Sequence, residues 1–181
     1  MKKLLLATLT LTLSACCHKG PAANATQSPA PDAMQSLTGG GVTRSLTGDS
    51  TDRKALQRTT AAIRDAFARG DVDAIVALHH PEVIKYFGGT NVVTGREDLR
   101  RQLTGWLSTT RVEFVENTIE STVFNGETAI ETSIFSIRGI PKNGGKPSIG
   151  RGRAMVVYIK YPGSLTGWVS LREVAQEAPP K

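Results

Sequence analysis

An arginine near the C-terminus of this 181-residue chain is the side chain best suited to binding an anion. Alternation of period two along its segment places four residues on one face: Trp168, Ser170, Arg172 and Val174. On a buried face a guanidinium needs a partner, because an unpaired charge is costly to remove from water. Arg172 is therefore expected either to hold a ligand carboxylate or phosphate through two hydrogen bonds, or to form a structural ion pair with Glu131 or Glu173.

Two adjacent histidines, His79 and His80, follow a short predicted helix whose dipole favours their protonated forms. Neighbouring side chains diverge, so the two rings are not expected to share a metal ion, and no metal site is predicted. His80 is a candidate general acid or base, with a surface position at the helix end as the alternative. No phosphate-binding glycine loop precedes a helix and no nucleophile motif is found, so no cofactor is predicted.

The elements that must position these residues begin with three helices. The first is predicted from near Asp52 to Gly70, with an apolar face at helical spacing and N-caps available at residues 49–51. Asp71 caps a shorter second helix that ends at residues 79–81, and residues 82–87 form a short strand. Residues 94–97 have the spacing of a capping box and open a third helix.

The rest of the chain has the pattern of β-strands. Residues 112–124 and 127–140 flank Asn125-Gly126, the strongest short hairpin signal. Residues 149–161 follow a loop rich in Gly, Lys and Pro, and a turn at Pro162-Gly163 leads to the last strand, residues 168–175. Three helices followed by a run of antiparallel strands make the predicted fold class α+β.

This order of elements resembles the nuclear transport factor two-like superfamily, which includes SnoaL-like and ketosteroid-isomerase-like domains. The motifs that carry the resemblance are Ala68-Arg69-Gly70-Asp71-Val72-Asp73-Ala74 with Leu78 and Pro81, Thr94-Gly95-Arg96-Glu97-Asp98-Leu99, and Gly167-Trp168-Val169-Ser170-Leu171-Arg172. The resemblance covers about residues 51–176. It implies a strongly bent antiparallel sheet wrapped around the three N-terminal helices into a cone with an apolar pocket. In many relatives it also implies a homodimer formed through the open face of the sheet.

The same resemblance implies where the pocket residues lie. Trp168 is expected to pack inward, with Arg172 pointing inward beside it, and Tyr86 and Trp106 are expected to line the cavity unless they are simply core residues. The catalytic candidates are then His80, Tyr86 and Arg172. Ketosteroid isomerases carry a carboxylate base on the short strand, but residues 83–87 include no Asp or Glu, which argues against that chemistry here.

The N-terminus has the pattern of an export signal, with Lys2 and Lys3 followed by a short apolar run. Residues 13–16, Leu-Ser-Ala-Cys, resemble the lipobox of bacterial lipoproteins, which implies cleavage before Cys16 and acylation of its thiol. The apolar run of about 12 residues is short for a membrane-spanning helix, which needs about 20. Secretion with cleavage elsewhere is the alternative. The absence of Asp after Cys16 resembles lipoproteins that are sent outward, which implies the outer membrane.

Residues 16–50 contain few bulky apolar side chains, so they are expected to form a lipidated flexible linker. The predicted organisation is a signal peptide at 1–15, this linker, a folded domain at 51–177 and a tail at 178–181. Both cysteines, Cys16 and Cys17, lie at the processing site, so the domain has no disulfide and must be stabilised by its core.

The net charge is mildly basic and does not indicate nucleic-acid binding. Loss of Lys2 and Lys3 with the signal lowers the formal charge from +6 to +4. The most basic stretch, residues 138–160, lies in a predicted hairpin and is interpreted as a solvated face, so no nucleic-acid partner is expected.

These observations predict a membrane-anchored exported domain that binds a small, partly apolar ligand or a partner without catalysis. The alternative is an isomerase, dehydratase or cyclase acting in the same pocket. A third possibility is that the sheet serves assembly and the cavity is filled, which a volume below roughly 300 Å³ would favour.

Overall fold

The computed structural model describes residues 48–179, which belong to one compact unit, Val42–Lys181. The predicted signal, the acylated Cys16 and nearly all of the linker lie outside the described residues. The elements in chain order are α1 (Ser50–Arg69), α2 (Val72–Ala77), β1 (His79–Phe87), β2 (Asn91–Thr94), α3 (Gly95–Thr109), β3 (Thr110–Asn125), β4 (Thr128–Pro141), β5 (Ser148–Lys160) and β6 (Trp168–Glu177).

The first two helices begin and end where their capping residues predict. Asp49 Oδ1 accepts a hydrogen bond from the Asp52 amide at the start of α1, and Gly70 ends that helix in the left-handed conformation with φ of 69°. Asp71 Oδ1 accepts from the Ala74 amide and caps α2. These local contacts fix the corner at which the chain turns into β1.

The six strands form one sheet in the order β2-β1-β6-β5-β4-β3. The pairs from β3 to β6 are antiparallel, and Gly126 takes φ of 61° in the predicted hairpin turn. β1 and β6 are parallel, whereas the sequence predicted only antiparallel strands. The predicted α+β architecture is therefore confirmed. The sheet is curved, and the three helices belong to the N-terminal part of the domain.

Two local predictions differ from the structure. β1 begins at His79, three residues before the predicted strand, because β6 pairs with it there. The predicted capping box at α3 is wrong in its partners: Thr94 makes no side-chain cap bond, and the Thr94 amide donates to Asp98 Oδ2 at 2.9 Å. The first turn of α3 is therefore closed by the Thr94 amide and the Asp98 carboxylate, and not by the Thr94 hydroxyl and the Glu97 carboxylate.

The hydrophobic core consists of two clusters within the described residues. One joins Leu56 of α1 to Phe124 and Trp168 on the sheet, and the other joins Ile75 and Leu103 of the remaining helices to β1, β2 and β3. Because both clusters lie between residues 55 and 175, residues 42–181 contain the whole core that the structure describes. Within the described residues, none of the helices combines the length and apolar character needed to cross a bilayer.

Candidate ligand-binding site

A chamber of about 460 Å³ lies between the helices and the inner face of the sheet. This volume exceeds the roughly 300 Å³ at the lower end of small-molecule pockets. Half of its lining residues are apolar, and they come from both helices and strands: Ile63, Phe67, Phe87, Val93, Leu99, Leu103, Trp106, Phe114, Phe135, Ile137, Ala154 and Val156. The chamber can therefore hold the apolar body of a small molecule.

Exposed residues mark the mouth of the chamber. Phe87 and Trp106 line it and are 37% and 40% exposed, and the exposed polar residues Asn91, Gln102 and Asn117 line it beside them. The Trp106 ring packs edge-on against Phe67 with centroids 6.2 Å apart. These residues lie on α3, on β3 and on the two sides of the turn that joins β1 to β2.

The interior carries an ion pair between two adjacent strands. Lys85 Nζ lies 2.5 Å from Glu173 Oε2, and the two side chains are 8% and 15% exposed. Lys85 and Glu173 are register partners across the parallel β1–β6 pair. Because each charge is compensated by the other, this pair adds polar surface to the chamber without adding net charge.

The chamber wall also carries two ionisable side chains on neighbouring strands, Glu131 of β4 and Tyr158 of β5. Burial raises the pKa of Glu131, while the Arg64 guanidinium and a hydrogen bond from the Thr122 hydroxyl act in the opposite direction. Burial, together with the carboxylates of Glu131 and Glu173, raises the pKa of Tyr158 well above its usual value. Tyr158 is consequently a neutral phenol, which can donate a hydrogen bond.

A buried histidine lines the chamber where α2 meets β1. His79 is 1% exposed, and its Nδ1 lies 2.7 Å from the Ile75 carbonyl oxygen. Arg96 Nε donates to the His79 carbonyl oxygen at 2.6 Å and so holds the backbone from α3. Burial, the Lys85 ammonium and Arg96 lower the pKa of His79 well below 6.5, against a smaller raising effect of the Ile75 bond. The ring is therefore neutral at physiological pH.

Arg172 was expected to point into the cavity, but in the structure it does not line the chamber. A β-bulge shifts the β5–β6 register, so that Tyr158 pairs with Ser170 while Val157 pairs with Arg172. The extra residue, Leu171, reverses the alternation along the rest of the strand. Glu173 then lines the chamber, whereas Arg172 donates to the backbone carbonyl oxygens of Glu82 at 2.7 Å and Leu171 at 2.8 Å. Among the described residues, Arg172 does not line the chamber, and Glu173 is paired with Lys85 and not with Arg172.

The other predicted pocket residues divide between the chamber and its surroundings. Trp106 lines the chamber, as expected. Trp168 points inward and is buried, but it packs on Phe124 in the core and not on the chamber. Tyr86 is 43% exposed on the outer face of β1, because Lys85 takes the inward position beside it.

His80 also lies away from the chamber. Its Nδ1 accepts from the Glu82 amide at 3.1 Å, and its ring packs edge-on against Tyr161. Of the three catalytic candidates, His80, Tyr86 and Arg172, none lines the chamber. The neighbouring His79 does line it. Residues 83, 84, 86 and 87 are all apolar, so alternation in the sequence does not show that Lys85 points inward.

The basic stretch at residues 138–160 is largely neutralised by carboxylates from other segments. Arg138 pairs with Glu113, Arg151 with Glu116 and Arg153 with Glu120, and all three carboxylates come from β3; Lys160 pairs with Asp52 of α1. In the described part of the chain, no group of three or more His, Cys, Asp or Glu side chains is arranged to hold a metal ion.

Solved structures of similar fold come from several bacteria. A conserved protein from Planctomyces limnophilus aligns with a TM-score of 0.64 at 17% identity, covering 72% of this chain and 100% of that one. A proposed dehydratase of the nuclear transport factor two-like family from Streptomyces avermitilis aligns with a TM-score of 0.61 at 21% identity, covering 72% of this chain and 98% of that one. A proposed scytalone dehydratase from Novosphingobium aromaticivorans aligns with a TM-score of 0.60 at 15% identity, covering 71% and 85%.

These similarities establish the fold but not the activity, because all three identities are low. No protein of curated function matches the sequence. The model of the SnoaL-like domain matches residues 60–161, which include α3, most of the sheet and most of the residues that line the chamber. The chain therefore belongs to the SnoaL-like domain family.

Proposed function

We propose that this domain binds a small, largely apolar molecule with one polar end. The observation that carries the proposal is the chamber of about 460 Å³, whose apolar wall is interrupted by a few buried polar groups. Pockets with this composition bind the body of a ligand through apolar contact and fix its orientation through a few polar contacts.

A pair of neighbouring substitutions tests the proposal. Ala154 lines the chamber and is 4% exposed, whereas Met155 points to the opposite face of β5 and is 51% exposed. Residues 42–181 are incubated with a metabolite extract and examined by native mass spectrometry. Ala154→Phe is expected to abolish retention of a small molecule and Met155→Phe to preserve it. The proposal fails when the wild-type domain retains nothing, or when both variants retain the same molecule.

One observation favours enzymatic activity as a second candidate function. His79 is a neutral imidazole facing a largely apolar chamber, and a base of this kind can remove a proton from a bound substrate. Tyr158 and Lys85 are donors in the same chamber. Dehydratase or isomerase activity predicts that incubation with the extract converts a metabolite to its dehydrated or isomeric form, and that His79→Gln stops this. Unchanged extract composition would count against catalysis.

We also propose that the domain is exported and anchored to the outer membrane through acyl chains on Cys16. The support is the sequence of residues 1–16, with its charged start, short apolar run and terminal cysteine. Two or more acyl chains give a stable anchor. The full chain is produced in a bacterial host and partitioned in detergent. Wild type is expected in the detergent phase and Cys16→Ser in the aqueous phase; equal partitioning would exclude the anchor.

We also propose that the domain forms a homodimer through the outer face of the sheet. Tyr86, Val174 and Met155 lie beside one another on neighbouring strands, and each is more than 40% exposed. Exposed apolar rows of this kind often mark interfaces. Sedimentation of residues 42–181 is expected to show a dimer that Val174→Asp converts to a monomer. A monomeric wild-type domain would rule this interface out.

A further inference from the structure

Two buried polar atoms of the chamber have no hydrogen-bond partner among the described residues: His79 Nε2 and Ser170 Oγ. Their residues are 1% and 2% exposed, and both line the chamber. His79 and Ser170 are register partners across the parallel β1–β6 pair, so the two atoms belong to one small region of the wall. A buried polar group without a partner is costly, which makes two of them side by side a feature that requires explanation.

The partners of His79 determine which nitrogen is free. A carbonyl oxygen only accepts, so Nδ1, which lies 2.7 Å from the Ile75 oxygen, carries the proton. Since the ring is neutral, Nε2 is a hydrogen-bond acceptor with an unused lone pair. Arg96 fixes the His79 backbone from α3, so the ring is held in this orientation by groups on two helices.

Ser170 supplies the complementary group. Its backbone amide already donates to the Leu78 carbonyl oxygen at 3.0 Å, whereas its hydroxyl has no partner among the described residues. A serine hydroxyl both donates and accepts. An acceptor and a donor side by side match a ligand hydroxyl, which donates its proton to one partner and accepts from the other.

The charges around the chamber indicate that the ligand is neutral. Four ionisable side chains besides the histidine and the tyrosine line it, two cationic and two acidic: Arg64, Lys85, Glu131 and Glu173. Lys85 and Glu173 are directly paired, and Arg64 acts electrostatically on Glu131. No excess charge therefore remains to compensate an ionised ligand inside the chamber.

We propose that His79 and Ser170 form a recognition site for the hydroxyl group of a neutral alcohol or phenol, whose apolar body lies against the chamber wall. His79 Nε2 accepts the ligand O–H and the Ser170 hydroxyl donates to the ligand oxygen. This inference rests on the proposed ligand-binding function and specifies the chemical class of the ligand.

Three matched naphthalenes test the inference on residues 42–181 by calorimetry. In 2-naphthol the ring carries a hydroxyl group, which can donate a hydrogen bond. In 2-methoxynaphthalene it carries an ether oxygen, which only accepts, and in naphthalene-2-carboxylate it carries a negative charge. Since a hydrogen bond to a buried group changes affinity by roughly 5- to 100-fold, 2-naphthol is expected to bind at least about 10-fold more tightly than the other two. In long-range NMR spectra, the ¹⁵N shift of His79 Nε2 is expected to move with 2-naphthol and to stay in place with 2-methoxynaphthalene.

Serine substitutions separate recognition from structure. Ser170→Ala removes a hydroxyl that makes no protein hydrogen bond, so it is expected to weaken 2-naphthol binding about 3- to 10-fold while leaving the unfolding midpoint unchanged or higher. The control is Ser136→Ala, which removes a buried hydroxyl bonded to Glu116 at 3.0 Å outside the chamber. That variant is expected to unfold more easily and to bind 2-naphthol as the wild type does. His79→Phe keeps a ring of similar shape and is expected to lose the preference for 2-naphthol.

The possible failures are distinct. Equal affinity for 2-naphthol and 2-methoxynaphthalene, with both excluded by Ala154→Phe, overturns the hydroxyl site and leaves the proposed binding function intact. Tighter binding of naphthalene-2-carboxylate overturns the assignment of a neutral ligand. Absence of binding by all three compounds overturns the hydroxyl site, and the metabolite-extract experiment decides separately whether the proposed binding function fails as well. A lower unfolding midpoint for Ser170→Ala with unchanged 2-naphthol affinity assigns Ser170 a structural role and also overturns the inference.

Discussion

Lys85 and Glu173 form an ion pair across the only parallel strand pair that the described residues contain, with 2.5 Å between Nζ and Oε2. Both side chains are largely removed from solvent and both line the chamber. The pair therefore links the stability of the β1–β6 junction to the polarity of the ligand site. Removing one partner leaves the other as an uncompensated buried charge.

Lys85→Met is expected to lower the free energy of unfolding by about 3 kcal/mol, since breaking a buried pair costs about 3–5 kcal/mol. Replacing both residues, Lys85→Met with Glu173→Leu, is expected to restore most of that loss. Urea denaturation of residues 42–181 measures both values. Arg153→Met is the control: its pair with Glu120 is more exposed, so the cost is expected to stay below about 1 kcal/mol. A double variant as unstable as the single one would contradict this account.

The stability of the domain is expected to fall below pH 6.5 because of His79. The pKa of His79 is 6.5 in the unfolded chain and lies well below that in the folded domain. At a pH between these two pKa values, the unfolded chain binds a proton that the folded chain does not. Stability then rises with pH through this window, with a slope of at most about 1.4 kcal/mol per pH unit. Denaturation between pH 5.5 and 7.5 measures the slope.

His79→Phe is expected to flatten this pH dependence, while Ser170→Ala retains His79 and keeps it. Glu131 acts in the opposite direction, because its pKa is raised and the folded state holds that proton more tightly above its usual pKa of 4.5. Glu131→Gln is accordingly expected to steepen the slope at the acidic end. An unchanged slope in His79→Phe would show that another group is responsible.

The order of elements and most of their ends could be predicted from local signals. Asp49 and Gly70 determine the two ends of α1, and Asn125-Gly126 determines the longest hairpin, because each acts within a few residues of itself. The inward positions on the last strand could not be predicted in the same way. The bulge at Leu171 is a property of how β5 and β6 pair, and alternation counted along one strand does not detect it.

The histidine assignment failed for a related reason. His79 and His80 are equivalent by residue type, and the sequence favoured the second. The β1–β6 pairing begins at His79 and then shifts over the following residues, which turns His79 toward Ser170 and leaves His80 beside Tyr161. Contacts between strands distant in sequence therefore decided which of the two enters the chamber.

Arg172→Ala is expected to leave ligand affinity unchanged. Its guanidinium bonds the backbone carbonyl oxygens of Glu82 and Leu171 and does not line the chamber. Loss of these bonds is expected to lower the free energy of unfolding by about 1–2 kcal/mol. Calorimetry with 2-naphthol and urea denaturation check the two expectations. A 10-fold loss of affinity at unchanged stability would return Arg172 to the binding site.

Trp106 is expected to report occupation of the chamber by fluorescence. The chain has two tryptophans: Trp106 is 40% exposed at the mouth, and Trp168 is 1% exposed in the core. An alcohol such as 1-octanol, which does not absorb with tryptophan, is expected to shift the emission of Trp106 to shorter wavelength, because the ligand replaces water at its ring. Emission from Trp168 is expected to stay constant, since water is already excluded there. Trp106→Phe should remove the response and Trp168→Phe should preserve it; a shift that persists in Trp106→Phe would place the bound molecule elsewhere on the domain.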